Sequence, residues 1–239
     1  MTVTGKARAK ELKRAAGFEA AGRVESGMKL GLGTGSTVAH FLTRLGQRLK
    51  AGELADVVGV PTSERTEKAS LQLGIPLGSL SELGSLDLTV DGADEVTPSL
   101  DLIKGLGGAL LREKMVARAS RQLVIVADEG KCVDRLGTLA PLPVEVVQFE
   151  YRAQVGWLKA LGCSVALRPG TEGEPYETDN GNFILDCRFA DGIEDPAALE
   201  DKLNARAGVV ESGLFLELAT EAIIAGDNGI RCVRRDGSW

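Results

Sequence analysis

Short apolar runs alternate with longer amphipathic segments through the first half of the chain, and this alternation limits the fold more than any other feature. The pattern predicts helices over residues 4–25, 38–50, 63–73 and 109–120, and strands over residues 28–32, 57–60, 75–77, 86–90 and 122–127. Strands that alternate with helices form parallel sheets, because each helix returns the chain to the side where the next strand begins. The sequence therefore predicts an α/β fold with a doubly wound, mostly parallel, Rossmann-like sheet.

The pattern changes near residues 139–143, where two prolines interrupt the apolar sequence. Beyond this point it predicts strands over residues 144–147 and 164–168, helices over 151–161 and 196–206, and a hairpin with arms 176–178 and 183–187. Short strands that are mixed with two helices are typical of a small α+β unit.

The last part of the chain resumes the earlier apolar pattern. After Gly208, the apolar pairs Val209-Val210 and Leu214-Phe215 predict that the chain returns to the large sheet. We therefore expect two domains. The predicted boundaries give a Rossmann-like catalytic domain of residues 1–137 and 209–239, with an inserted α+β, ferredoxin-like domain of residues 138–208.

Composition narrows the classes of function. Charged residues make up 26% of the 239 residues, the net charge is −6 at pH 7, and the basic residues are scattered, which argues against nucleic acid as a partner. No apolar run approaches the ~18 residues that a membrane span needs, and no apolar block follows the charged N-terminal segment as it would in a signal peptide. We therefore expect a cytoplasmic protein that binds a small molecule.

His40 is the single histidine, and its apolar neighbours favour a packed or capping role over a catalytic one. Without a second imidazole, Ser-His-Asp and Cys-His mechanisms have little support. The four cysteines form no Cys-x-x-Cys pair, so we expect reduced, mostly buried thiols and no zinc site. Acid–base chemistry then falls to carboxylates and lysines.

A glycine- and hydroxyl-rich turn, Gly33-Thr34-Gly35-Ser36-Thr37, joins the first predicted strand to the second predicted helix. Free backbone N–H groups at such a helix start attract an anion, as does the helix dipole. Ser36 replaces the third glycine of the dinucleotide motif, and the Gly-Lys-Ser/Thr of a Walker A loop is missing. A monophosphate is the expected ligand; the alternative is that Ser36 or Thr37 only caps the helix.

The stretch over residues 91–114 holds the densest set of reactive side chains. Asp91 and Asp94 follow a predicted strand, and open α/β sheets bind ligands at such strand ends. Glu113 shares its helical arc with apolar residues only: Ala109, Leu110, Val116 and Ala117. A carboxylate on such an arc is desolvated, which raises its pKa toward the range that a general base needs. An ordinary surface glutamate is the alternative, and we favour the base.

Further segments accompany these two regions in a fixed order. The motifs are Gly33-Thr34-Gly35-Ser36-Thr37, Asp91-Gly92-Ala93-Asp94-Glu95, Lys104-Gly105-x-Gly107-Gly108 with Arg112-Glu113-Lys114, Pro141-Leu142-Pro143-Val144-Glu145-Val146, Thr178-Asp179-Asn180-Gly181-Asn182 and Gly208-Val209-Val210. Together they resemble the type A ribose-5-phosphate isomerase family over nearly the whole chain. The resemblance implies reversible conversion of D-ribose 5-phosphate to D-ribulose 5-phosphate in the pentose phosphate route, through an enediolate and without metal or organic cofactor.

The resemblance also implies a role for each candidate residue. Glu113 would move the proton between C2 and C1, while Asp91 and Asp94 would handle hydroxyl protons. Lys104 would stabilise the negative charge that develops on the oxygens. The substrate-binding positions that the family implies are Thr34, Gly35, Ser36, Thr37, Gly92, Ala93, Gly105, Leu106, Gly107, Lys131 and, for the phosphate, Lys13. Leu106 departs from the glycine that some members have there, which bears on fit more than on reaction type.

Two other classes of function fit parts of the pattern. The first is another sugar-phosphate or acyl-CoA enzyme of the related fold, of which an amino-sugar-phosphate deaminase is disfavoured because a second histidine is missing. A non-catalytic sugar-phosphate sensor would carry a DNA-binding segment, and the first ~25 residues provide one helix where a helix-turn-helix needs two. A homodimer or homotetramer is the expected assembly.

Overall fold

A computed structural model describes residues 3–171 and 173–235 of the chain. In the first half, the elements in chain order are α1 (Val3–Ala21), β1 (Lys29–Leu32), α2 (Val38–Lys50), β2 (Val58–Pro61), α3 (Glu64–Gln72), α4 (Leu80–Leu83), β3 (Leu88–Gly92), β4 (Glu95–Val96), β5 (Leu102–Ile103), α5 (Leu110–Arg118) and β6 (Leu123–Asp128). In the second half they are a short 3-10 helix (Glu129–Lys131), β7 (Leu142–Val146), α6 (Tyr151–Lys159), β8 (Ser164–Leu167), β9 (Phe183–Arg188), α7 (Pro196–Asn204), β10 (Val209–Ser212), β11 (Leu214–Phe215), β12 (Glu221–Gly226) and β13 (Gly229–Arg234).

Six strands form the large sheet, in the order β13-β12-β6-β3-β1-β2. The five from β12 to β2 run parallel, and β13 closes one edge as the antiparallel arm of a hairpin with β12. The chain moves from β1 to β2 on one side and then to β3 on the other, so the direction of winding reverses beside β1. The predicted doubly wound, mostly parallel α/β sheet is confirmed.

Alternating side chains along the strands supply separate apolar cores on the two faces of this sheet. In β6, Val124 and Val126 join the core formed with α1 and α2, whereas Ile125 joins a core on the opposite face. Helix α5 approaches the sheet closely at Gly31, where a Cβ would lie 2.6 Å from the Cγ1 atom of Val116. The absence of a side chain at this position therefore lets the helix that carries the predicted base pack directly against β1.

A second, antiparallel sheet contains four strands in the order β10-β7-β9-β8. Helices α6 and α7 contribute leucines to its core. The three-stranded sheet β11-β5-β4 connects the large sheet to the four-stranded antiparallel sheet. Its residues Leu102 and Phe215 pack into a core of the large sheet. Their neighbours Ile103 and Leu214 pack into the core of the antiparallel sheet. The division into two domains stays a prediction, and residues 1–2, 172 and 236–239 of the predicted domains lie outside the described residues.

Three predictions about strands are wrong. Residues 75–77 form one isolated bridge, to Gly59, rather than a strand. Residues 176–178 make a single antiparallel bridge, from Glu177 to Phe183 of β9, so the predicted hairpin pairing is present but its first arm is not a strand. The strands that pair with β9 are β7 and β8. After Gly208, β10 joins the antiparallel sheet and β11 the three-stranded sheet, and the chain returns to the large sheet only at β12. Apolar periodicity predicts that a short run is extended, but it does not predict which strand that run pairs with.

None of the helices in the described ranges is long and apolar enough to cross a membrane. All four cysteines are free thiols. Cys163 and Cys187 are buried, Cys132 is half-buried and Cys232 is exposed, so the expectation of mostly buried thiols is wrong for two of them. Cys232 is exposed because it lies on the edge strand β13, whose side chains face mostly outward.

Candidate active site

A cavity of about 130 Å³ lies at the carboxyl-terminal edge of the large sheet, where the winding reverses beside β1. The loops that follow β1 and β3 diverge there, which is why open α/β sheets bind ligands at this place. The lining residues are Lys13, Thr34, Gly35, Ser36, Thr37, Gly92, Ala93, Asp94, Lys104, Gly105, Gly107, Glu113, Val126, Ala127, Asp128 and Lys131. The cavity brings together every predicted site residue except Asp91 and Leu106, which contact lining residues instead.

Asp91 is buried behind the lining residues, inside β3, which ends two residues later than predicted. Its Oδ1 accepts hydrogen bonds from the backbone N–H groups of Thr34 (3.0 Å) and Gly92 (2.7 Å). Gly33 makes room for this carboxylate, because a Cβ there would lie 2.3 Å from Oδ1. The turn after β1 therefore fixes the orientation of Asp91 through its backbone.

Three buried charged side chains meet at one wall of the cavity. The ammonium Nζ of Lys104 lies 3.0 Å from Asp91 Oδ2 and 3.3 Å from Glu113 Oε2, and it donates a hydrogen bond to the carbonyl of Gly92 (2.5 Å). The ring of Phe215 lies below the same ammonium, with its centroid 5.4 Å away. Only 1%, 2% and 4% of Asp91, Lys104 and Glu113 are exposed, so the three charges interact with little screening by water.

The pKa of Glu113 is raised from 4.5 to about 8, mainly because burial disfavours the charged carboxylate and further because Asp91 is nearby. Lys104 opposes this shift but does not cancel it. Burial lowers the pKa of Lys104, yet the carboxylates of Asp91 and Glu113 outweigh it, so the net pKa of Lys104 is raised. Near neutral pH, Lys104 is therefore a cation paired with Asp91, and Glu113 is poised to exchange a proton.

A turn that contains three glycines forms a second wall. Asp94 accepts a hydrogen bond at Oδ2 from the backbone N–H of Leu106 (2.9 Å), whose side chain is 41% exposed. Gly105 and Gly108 have positive φ angles of 100° and 82°, and the Gly108 N–H donates to the Gly105 carbonyl to close the turn (3.0 Å). No described residue accepts a hydrogen bond from the N–H of Gly105 or Gly107, and both residues line the cavity. These two N–H groups are available to a ligand oxygen.

The turn after β1 carries the positive part of the cavity. Lys13 of α1 donates a hydrogen bond from Nζ to Ser36 Oγ (3.0 Å), and Lys131 lines the same cavity. Thr37 precedes α2 but its side chain makes no capping hydrogen bond. The alternative of a simple helix cap is therefore wrong for these two hydroxyls. The backbone N–H groups at the start of α2 and two ammonium groups are the donor set that a phosphate needs.

The hydroxyl of Thr34 faces away from this anion site. It makes hydrogen bonds with Thr62 Oγ1 (2.8 Å), Ser63 Oγ (2.8 Å) and Thr66 Oγ1 (3.1 Å), and Thr66 in turn donates to the carbonyl of Gly33 (2.9 Å). This buried cluster of hydroxyls fixes the turn after β1 against α3. A direct contact between Thr34 and the substrate stays a prediction.

Residues from two other parts of the chain were not predicted as parts of the site. Asp128 and the two residues before it line the cavity at the end of β6. Because β6 pairs with β3, the rule that ligands bind at strand ends would have found Asp128. Arg168 donates a hydrogen bond to the Gly105 carbonyl (2.8 Å), and the Tyr176 hydroxyl lies 2.1 Å from where a Cβ of Gly108 would be. No local sequence signal predicts these two contacts.

Comparisons with known proteins agree with one another. The model of the family described as ribose 5-phosphate isomerase A (phosphoriboisomerase A) matches residues 58–229. The chain is 52% identical over 230 residues to ribose-5-phosphate isomerase A of Synechococcus sp. (strain JA-3-3Ab), which covers 96% of this chain and 99% of the relative. It is 46% identical over 226 residues to probable ribose-5-phosphate isomerase 2 of Arabidopsis thaliana, which covers 92% of this chain and 85% of the relative.

Two solved structures have the same fold at similar length. Ribose 5-phosphate isomerase from Plasmodium falciparum superimposes with a TM-score of 0.92 at 38% identity, over 95% of this chain and 99% of that one. A D-ribose-5-phosphate isomerase in complex with phospho-erythronic acid has a TM-score of 0.92 at 40% identity, with the same coverage of 95% and 99%.

Proposed function

The chain belongs to the ribose 5-phosphate isomerase A family, and from this premise we infer that it is an aldose–ketose isomerase that interconverts D-ribose 5-phosphate and D-ribulose 5-phosphate. The reaction belongs to the pentose phosphate route. The observation that supports it most directly is the buried Glu113, whose pKa of about 8 suits proton transfer near neutral pH.

Glu113 is the base in this proposal. Its carboxylate removes the proton from C2 of the open-chain aldose, which leaves an enediolate, and the resulting acid returns the proton to C1 to give the ketose. The negative charge develops on the oxygen at C1, which was the carbonyl oxygen of the aldose. A single carboxylate carries the proton in both steps, so the base is regenerated in each turnover.

Lys104 stabilises the enediolate in this proposal. Its ammonium lies 3.3 Å from Glu113 Oε2, so an oxygen on the carbon next to the one being deprotonated comes within its reach. Asp91 keeps Lys104 charged, since the two side chains form a buried ion pair. The unpartnered N–H groups of Gly105 and Gly107 add donors of the kind that form an oxyanion hole.

Asp94 moves the hydroxyl proton in this proposal. The conversion requires that the O2 hydroxyl loses its proton as the ketone forms and that O1 gains one. Asp94 lines the cavity and binds the Leu106 N–H through Oδ2 alone, which leaves Oδ1 for a sugar hydroxyl. A carboxylate held in this way exchanges a proton between neighbouring oxygens without large movement.

The phosphate binds the turn of residues 33–37 and the two lysines in this proposal. Backbone N–H groups at the start of α2 and the ammonium groups of Lys13 and Lys131 supply charge-assisted hydrogen bonds. The phospho-erythronic acid in the related structure carries a phosphate and a carboxylate. A ligand of this kind would present its phosphate to Lys13 and Lys131 and its carboxylate to Lys104.

A sensor domain that only binds a sugar phosphate would need the anion site but not the buried cluster. Burying Asp91, Lys104 and Glu113 costs several kcal/mol unless the pairing is good, and such a cost is unnecessary for binding alone. The cluster therefore favours catalysis over sensing.

Solvent proton exchange tests the proposed function. In heavy water, the wild-type protein should introduce deuterium at C1 of ribulose 5-phosphate and C2 of ribose 5-phosphate, and a chelator should not change this. Glu113→Gln should lower the exchange by about 10²–10⁴-fold, because the amide cannot accept the proton. Substrate binding should remain.

The matched control is Glu145→Gln, a second buried glutamate, which accepts hydrogen bonds from Thr178 and Asn182 away from the cavity. It should keep the exchange rate of the wild type. If the wild type binds ribose 5-phosphate but exchanges no deuterium, the isomerase proposal is wrong and the sensor remains. A location in the cytoplasm and an assembly as homodimer or homotetramer stay predictions.

A further inference from the structure

Arg168, at the end of β8, connects the antiparallel sheet to the glycine turn of the cavity. Its Nη1 donates hydrogen bonds to the carbonyls of Gly105 (2.8 Å) and Leu106 (3.2 Å). On its other side, Nε donates to Asp186 Oδ2 (3.0 Å) and Nη2 binds the second oxygen of Asp186. Only 11% of the side chain is exposed. The guanidinium is therefore a buried bridge between one carboxylate and two peptide groups of the turn.

Both peptide groups that Arg168 binds lie beside residues that line the cavity. The peptide between Gly105 and Leu106 donates its N–H to Asp94 Oδ2 (2.9 Å). The peptide between Leu106 and Gly107 has an N–H without an acceptor in the described part of the chain, and Gly107 lines the cavity. A hydrogen bond to the carbonyl of a peptide polarises it and strengthens the N–H on its other side.

The turn is rich in glycine, whose backbone is conformationally permissive, so hydrogen bonds from outside the turn help to fix its conformation. Gly105 and Gly108 have positive φ angles of 100° and 82°, and glycine has more freedom to leave such a conformation than any other residue. A guanidinium suits the task better than an ammonium. Its planar fork donates to Asp186 and to both carbonyls at once, whereas an ammonium acts as a single point.

We propose that Arg168, oriented by Asp186, is a positioning residue for the isomerase: it fixes the turn of residues 105–108 so that Asp94 and the Gly107 N–H face the substrate. The inference rests on the proposed function and extends it to the antiparallel sheet, from which no site residue was predicted. Arg168 touches no substrate, so it acts on the rate through the geometry of the turn.

The test compares Arg168→Lys with Arg206→Lys in the intact protein. Arg206 is the matched control, because it donates to Gln154 (2.9 Å) and stacks on Trp157 without contacting the turn. Arg168→Lys should lower kcat for ribose 5-phosphate by about 10- to 100-fold with KM changed less than about twofold. Asp186→Asn should give a smaller loss of the same kind, and Arg206→Lys should give none.

Amide hydrogen exchange over residues 105–108 provides a readout that does not depend on activity. In Arg168→Lys the N–H groups of Leu106 and Gly108 should exchange at least about tenfold faster, while the rest of the protein keeps its protection. The inference is wrong if kcat and the exchange of this turn both match the wild type, or if the exchange increases everywhere. An inactive wild type would contradict the proposed function alone, and the exchange would still decide whether Arg168 holds the turn.

Discussion

Two regions of the cavity are built in opposite ways. The proposed phosphate region uses the turn of residues 33–37 and two half-buried lysines, Lys13 and Lys131, so its charges remain in contact with water. The proposed reaction region uses Asp91, Lys104 and Glu113, and none of them exposes more than 4% of its surface. Both regions carry cations, but only the second removes its charges from solvent.

The two regions therefore differ in how far each charged side chain depends on its neighbours. Water still reaches the two half-buried lysines and screens their charges, so they would attract a phosphate at little cost to folding. Burial gives Glu113 a pKa of about 8 and keeps Lys104 charged through Asp91, but it makes each member of the cluster depend on the others. Substitutions in the first region should change affinity, whereas substitutions in the second should change turnover and stability together.

The largest effect is expected for Lys104→Met. The substitution leaves the buried Asp91 without its cation, which should lower the free energy of unfolding by about 3–5 kcal/mol. It should also reduce kcat by about 10²–10³-fold, because the enediolate loses its main electrostatic partner. Urea unfolding and steady-state kinetics measure the two effects. An unfolding midpoint equal to that of the wild type would show that the cluster is not the interdependent unit described above.

The second largest effect is expected on the pH dependence of the free energy of unfolding, to which only the reaction region should contribute. Between pH 4.5 and about 8, folded Glu113 retains a proton that the unfolded chain has released. The contribution of Glu113 to the free energy of unfolding should therefore decrease as pH rises, by up to about 1.4 kcal/mol per pH unit within that window. Above about pH 8 this contribution should level off. Glu113→Gln should remove this decrease.

Urea unfolding at pH 5 to 9 provides the measurement. The stability of Glu113→Gln relative to the wild type should increase with pH up to about 8 and then stay constant. Parallel curves for the two proteins would mean that the pKa of Glu113 is not raised. Lys131→Met, in the phosphate region, serves as the control and should leave the slope unchanged.

The smallest effect is expected for Lys131→Ala. Loss of one charge-assisted hydrogen bond to the phosphate should raise KM for ribose 5-phosphate about tenfold, with kcat within about twofold of the wild type. Lys68→Ala is the control, since Lys68 pairs with Glu64 on the exposed face of α3. A fall in kcat without a change in KM would place Lys131 in the chemistry instead of in binding.

Local sequence was sufficient wherever the deciding contacts lie within one element. Helix α2 runs over Val38–Lys50 as predicted, because the turn before it and the amphipathic pattern within it are local features. The burial of Glu113 was predicted from its apolar neighbours on α5 and is confirmed, while its role as the base stays a prediction. The same pattern did not predict that Lys114 is buried, with its ammonium 2.6 Å from Glu211 of β10.

The doubly wound sheet and the strand ends where polar residues collect could be predicted without a structure, since both follow from the order and periodicity of short segments. Tertiary structure decided which distant groups meet. Lys104 reaches Asp91 and Glu113 only after β3, β5 and α5 pack together, and Arg168 reaches the Gly105 carbonyl from another sheet, 63 residues along the chain. Electrostatic and hydrogen-bond energies depend on distances of a few ångströms, and no local pattern specifies those distances.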